Sequence, residues 1–184
     1  MARSGMSNLI TRWRRMVDDA GTAVWSDDQA QQLLDDNRVT VYAESLTAIA
    51  QDIGSTVYLV YYSRYGNQEE LASGTAVWRL FDANGSTVGT ANYSTDYQRG
   101  IVTFTADQMG SARYLDARSY DLAGAAADAW RQRAGMQADG YDFSADGATF
   151  NRSQWFKHCH DMAATYDRQR VTTVSLMTRS DLNG

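Results

Sequence analysis

Proline is absent from all 184 residues, cysteine occurs once, at Cys159, and there are 2 histidines. Without proline the chain lacks one usual means of blunting a sheet edge, so pairing or charge must protect any edge strand. Slow X–Pro isomerisation is also removed from folding. A single thiol excludes an internal disulfide and points to a reducing compartment. No apolar run approaches the roughly 18 residues of a spanning helix, so no membrane partner is expected. The first ten residues lack the apolar centre of a signal peptide, and the sequons at Asn84, Asn92 and Asn151 therefore carry no weight. A chain of this length buries roughly 70% of its extended surface, enough for a core without metal or disulfide.

Basic charge is also scarce. The net charge is −5, from 22 acidic and 17 basic residues, which argues against a dedicated nucleic-acid binder. Arg12, Arg14, Arg15 and the Arg168–Arg170 pair are local exceptions, read as solvated helix faces or interface contacts.

What is present alternates between helix and strand signals. Leu9, Ile10, Trp13, Met16 and Val17 recur at helical spacing, while residues 1–5 read as disordered and Met6 as an alternative start. Ser26 and Gln29 form a capping box, with Trp25 placed to staple onto Ala30, and that helix runs to about Asn37 with Leu33 and Leu34 inward. Residues 39–43, 56–62 and 75–81 read as strands, 87–97 and 100–104 as a hairpin, and 112–118 as a last strand. Helix returns at Asp121, with Ala123, Ala127, Trp130 and Ala134 on one stripe; small residues there let a neighbouring helix approach to roughly 8 Å. A final helix capped by Ser153 carries Trp155, Cys159, Met162 and Tyr166. The expected class is α+β in a single domain, 1–184. A helical scaffold covers 7–37 and 120–170, an antiparallel sheet is inserted at 38–118, and an extended tail covers 171–184.

Catalytic signatures are missing. In His158-Cys159-His160 the two histidines sit roughly 200° apart around a helix and cannot share a metal. Asp142 to Gly147 matches the first half of a calcium loop, but its twelfth position is Ser153 where a bidentate glutamate is needed. The acidic pairs 18–19, 27–28, 35–36 and 69–70 sit near helix ends or loops and form no evident dyad. No phosphate-cradling glycine loop, nucleophile elbow or dinucleotide fingerprint occurs. The expectation is a protein that is not an enzyme, with no cofactor and no metal. The many aromatics could form a carbohydrate platform, a different class of function, but core and interface packing explains them more simply.

Three segments taken in order resemble a known family. They are Leu9-Ile-Thr-Arg-Trp-Arg-Arg-Met-Val-Asp-Asp19 followed by Trp25-Ser-Asp-Asp-Gln29, then Thr95-Asp-Tyr-Gln-Arg-Gly-Ile-Val-Thr-Phe104, then Tyr120 to Arg170 ending at Arg179-Ser-Asp181. They are similar to head–tail connector (adaptor, or head-completion) proteins of long-tailed bacteriophages. The resemblance implies a homo-oligomeric ring, usually of twelve, under the portal protein at the virion neck, assembled in the host cytoplasm. The ring extends the DNA channel without sequence-specific binding and meets a stopper or tail protein. The family's C-terminal segment reaches into the portal; here that implies Val171, Val174, Leu176, Met177, Arg179 and Leu182. Trp13, Ala123, Ala127, Trp130, Trp155, Met162 and Tyr166 are the expected helix-packing or subunit-interface residues. A stopper or tail-completion ring is the alternative within this class.

Overall fold

A computed structural model describes residues 2–52, 54–71, 77–137, 143–145, 148–150 and 152–171. It is α+β. Helices α1 (Ser7–Met16) and α2 (Asp27–Asp36) precede seven strands, and α3 (Leu122–Gln137) and α4 (Arg152–Asp167) follow them. The strands divide into two antiparallel sheets rather than the single one expected. β1 (Arg38–Ser45), β7 (Arg113–Tyr120) and β4 (Arg79–Asp82) lie in the order β1-β7-β4; β2 (Thr47–Asp52), β3 (Thr56–Tyr62), β6 (Ile101–Phe104) and β5 (Tyr93–Asp96) lie in the order β2-β3-β6-β5. A short hairpin, β8 (Phe143–Ala145) with β9 (Ala148–Phe150), sits between α3 and α4.

The division has a local cause. β1 carries a bulge between Val41 and Glu44, with Ala43 at φ +47° and its N–H donated to Asp116 Oδ1 instead of a strand partner. A bulge bends a strand and sharpens its twist. One residue later, Leu46 bonds Arg113 O at 2.9 Å and the chain resumes as β2 in the other sheet. Leu80 and Leu115 from one sheet and Tyr61, Val102 and Phe104 from the other close a shared apolar core with Leu46 and Trp78. The third strand begins at Arg79, later than the expected residue 75, and Trp78 before it is buried and donates to Gln68 Oε1. The hairpin's first strand is likewise only Tyr93–Asp96, since 90–92 form a 3-10 turn.

A second core belongs to the helices. Leu9, Ile10, Trp13 and Val17 of the first helical segment pack with Leu33 and Leu34, and with Ala125, Ala126, Ala129 and Trp130 of α3. The capping box is formed: Ser26 Oγ accepts from Gln29 N at 3.2 Å and Gln29 Oε1 accepts from Ser26 N at 2.8 Å. Trp25 and Ala30 are both buried in this core, as a staple requires. Between α1 and α2, Arg14 donates to Asp19 Oδ2 at 2.7 Å, Trp25 O at 2.7 Å and Asp27 Oδ1 at 2.9 Å, fixing the connection. α4 starts at Arg152, so Ser153 lies inside its first turn rather than before it.

The two cores are joined by a buried ionic node, and here the N-terminal residues depart from expectation. Residues 2–6 are not loose: Gly5 and Met6 are buried, and Arg3 donates to both oxygens of Asp35 and to Glu69 Oε1 at 3.0 Å. Glu69 is 1% exposed and also accepts from Tyr120 Oη at 2.6 Å. Burial, then Glu69, pushes the Tyr120 phenol up, so it stays a proton donor. Partial burial pushes the Asp35 carboxyl up, but Arg3, Arg38 and Gln31 together outweigh it and hold it below the usual range. A carboxyl depressed in the folded state stabilises above the ordinary range near pH 4, and that contribution is lost as pH falls through the folded value.

Arg3→Ala is expected to cost on the order of 3 kcal/mol, because it strips a buried carboxylate of its closest cation. It should also flatten the loss of stability below about pH 4 seen in the unaltered protein. Urea unfolding across pH 2.5–7 checks both (range chosen to bracket carboxylate titration, about pH 4).

Candidate assembly surfaces

Helices α3 and α4 pack together through small residues. Ala125, Ala126 and Ala129 are buried in the same cluster as Cys159 and Ala163 of α4. Trp130 Nε1 donates to Met16 O at 3.2 Å and Arg133 donates to Val17 O at 3.0 Å, locking the pair onto the end of the first helix.

The expected packing residues separate by environment. Trp13 is fully buried and Trp130 is 2% exposed, so both are enclosed within the chain. Ala127 is buried and Ala123 half-buried. Met162 and Tyr166 pack on the helical core from its margin. Trp155 faces solvent beside His158, with ring centroids 5.3 Å apart, and lies under the Arg133 guanidinium. Cys159 is buried between exposed His158 and His160, and burial pushes its thiol up. Asp142 and Asp146 of the calcium-loop match lie outside the described residues. Among those described, no group of three or more His, Cys, Asp or Glu side chains is close enough to hold a metal.

The aromatics of the sheets point mostly inward. Trp78 packs on Tyr93 and Tyr97, and Tyr61 and Tyr93 pack on Phe104. Of the strand tyrosines Tyr42 and Tyr62 are exposed, on different sheets. A flat sugar-stacking platform is not assembled from them.

The root of the C-terminal segment is the most highly organised surface, and spacing alone did not reveal it. Asp121 caps α3: its Oδ1 accepts from Gly124 N at 2.9 Å, while its Oδ2 accepts from Val171 N at 3.0 Å. Arg170 Nη2 reaches Asp128 Oδ2 at 2.9 Å, Gly124 O at 3.2 Å and Asn37 Oδ1 at 3.3 Å. Arg131 pairs with Asp128 and with Asp167. Asn37 also donates to Asp128 Oδ2 at 2.9 Å, and its carbonyl accepts from Asp121 N. The end of α2, the start of α3 and the end of α4 thus meet at Arg170 and Val171. Val171 follows immediately and is 69% exposed. It borders a cleft of about 120 Å³ with Val39, Tyr65 and Tyr120. Val174, Leu176, Met177, Arg179 and Leu182 lie outside the described residues.

Gly124 leaves room for this latch. A Cβ there would stand 2.6 Å from Asn37 Oδ1, 2.8 Å from Asp121 Oδ2 and 2.9 Å from Arg170 Nε. That is why a glycine persists inside a helix where alanine would gain about 1 kcal/mol of propensity.

A cleft of about 530 Å³ lies between α1 and the β5–β6 turn, with Arg12 and Arg15 on one wall and Thr95 and Gln98 on the other. Matched against models of known protein families and against curated protein sequences, the chain finds no counterpart.

Gly124→Ala is expected to destabilise the protein by about 1–2 kcal/mol despite the better helix former, because the added methyl displaces the latch. Faster tryptic cleavage after Arg170 than in the unaltered protein is the accompanying sign, read by intact mass.

Proposed function

We propose that this protein is a ring-forming head–tail connector subunit of a tailed bacteriophage, seated at the virion neck between portal protein and stopper or tail. The observation that carries the reading is the clamped root at Arg170. A fixed base at Arg170 followed by the exposed apolar Val171 suits a C-terminal segment that docks on a partner. Such ordering costs entropy at binding, and a fixed base lowers that cost by restricting where the segment starts.

The order of elements supports the same reading. Two short helices and a small-residue helix pair form one layer, and the sheet module projects from it as an additional surface. Exposed apolar side chains are spread over several faces, with Tyr42 78%, Met109 83% and Met136 60% exposed. Dispersed apolar contacts suit a subunit that meets neighbours on more than one side. An acidic chain beside a DNA channel also avoids adhesion, since every neutralised phosphate adds affinity and slows passage. No helix among the described residues is long and apolar enough to cross a membrane.

Deleting 171–184 should leave a folded protein that no longer cosediments with portal rings; unchanged portal binding would sink the role given to that segment. Copy number in assembled particles separates the two ring readings, with twelve expected for an adaptor and six for a stopper or tail terminator.

A further inference from the structure

The 530 Å³ cleft beside α1 has more hydrogen-bond donors than it can use. Half-buried Arg12 donates to the neutral Asn67 Oδ1 at 2.9 Å, and among the described residues no carboxylate lies within ion-pair distance of it. Burial lowers this guanidinium below its usual value, with Asp96 offsetting part of the effect. Arg15, one turn nearer the end of α1, is exposed and has no ion pair or hydrogen bond among the described residues. Thr95 Oγ1 is buried on the facing wall without a partner. The acidic groups of the cleft are already engaged: Glu70 accepts from Asn8, and Asp96 from the Arg99 backbone. The Arg15 guanidinium and the remaining donors of Arg12 can take a carboxylate from outside, which a guanidinium holds through two parallel bonds.

The opposite end of the four-stranded sheet carries the complement. The cleft lies at the end of β3, where Ser63 N bonds Gly100 O in the β5–β6 turn. The other end, six residues of strand rise or about 20 Å away, holds exposed Asp52 and the 105–112 loop. The Asp52 side chain has no ion pair or hydrogen bond among the described residues. The loop is rigid. Asp107 Oδ1 accepts from Tyr58 N and Met109 N at 2.8 and 2.9 Å, and Gln108 Oε1 accepts from Arg113. It presents Met109 at φ +51° and 83% exposed. A non-glycine residue in the left-handed region costs of order 1 kcal/mol and recurs where a surface is shaped for contact.

We infer that the Arg12–Arg15 cleft receives the Asp52–Met109 end of a second copy of this chain, in a head-to-tail contact. Different patches on the two partners make the contact heterologous, so repetition closes a ring or extends a filament. The contact deepens the ring reading above, naming which surfaces meet. A nucleic-acid backbone fits the cleft less well: Glu70 and Asp96 on its walls tolerate one inserted carboxylate but repel a file of phosphates.

The test is cysteine cross-linking of the full chain. Arg15→Cys and Met109→Cys are combined in one molecule, and each is also made alone; the native Cys159 is buried and stays silent. A short bis-maleimide at high protein concentration, with and without portal rings, should give a ladder of trimers and larger species from the double variant. The single variants should give nothing above dimer. Adding Arg12→Glu should cut the ladder by about tenfold or more, since like charges now face each other. No ladder in either setting overturns the contact, a ladder indifferent to Arg12→Glu overturns the carboxylate seat, and duplex DNA retention that depends on Arg12 would make it a phosphate site instead. A ladder without portal binding leaves the contact standing and removes the connector reading. Portal binding without a ladder does the reverse.

Discussion

The Glu69 carboxylate is the interaction on which the rest of the architecture turns. It is 1% exposed and is reached by Arg3 from the N-terminal segment, Tyr120 from the end of β7 and Arg118 at 3.5 Å from the same strand. Asp35 brings α2 to the same guanidinium. A buried carboxylate without such partners costs several kcal/mol, so folding of either core is tied to docking of the other. Hydrophobic contact alone could let a sheet module slide against a helical layer. A charge that has only one satisfactory arrangement cannot slide.

The node also explains why the helical layer reads as continuous although the sheets interrupt it. β1 begins at Arg38, directly after Asn37, and β7 ends at Tyr120, directly before Asp121. Arg38 and Tyr120 are register partners, so the two ends of the sheet module lie side by side at the layer. Asn37 and Asp121 are bonded to each other there and both contribute to the latch on the C-terminal root. The inserted strands thus leave and return through a gate one residue wide on each side. Whatever holds the sheet ends together also holds the start of the C-terminal segment.

How much of this was legible in the sequence depends on the range of the interaction. Local signals carried well: Ser26 and Gln29 three residues apart are a complete physical statement of a helix start, and the Leu9, Ile10, Trp13, Val17 spacing named the buried face of α1. The small residues of α3 pointed to a close helix neighbour; Ala126, Ala129 and Ala134 share a cluster with Cys159 and Ala163 of α4, whereas Ala123 and Ala127 are not part of it. Interactions across long separations left no trace. Arg3 and Glu69 are 66 residues apart and Asn37 and Asp128 are 91 apart; each residue type is unremarkable at its own position. Residues 1–5 therefore looked loose, and the acidic pairs looked like solvated helix ends although Asp19 and Glu69 are buried. Sheet division was hidden for another reason. Alternation identifies a strand and its two faces, but not a bulge at Ala43 that sends consecutive segments into different sheets. Gly124 is of the same kind, since nothing local in the sequence says that its neighbours are Asn37, Asp121 and Arg170.

The distribution of charge ties the assembly surfaces to this architecture. Several arginines are engaged within the chain: Arg3 and Arg14 on buried carboxylates, and Arg131 and Arg170 on the root of the C-terminal segment. The chain as a whole carries a net charge of −5. Identical acidic subunits repel one another, and a ring of them needs a place where that repulsion is locally reversed. Arg12 and Arg15 are the arginines on the open face of α1, opposite the stripe that enters the helical core, and they border a cleft deep enough to exclude part of the solvent. Screening weakens exposed charges beyond roughly 8 Å at physiological salt, so half-buried Arg12 keeps more of its attraction there than exposed Arg15. In the proposed ring, placing the reversal in a cleft makes association depend on shape as well as charge.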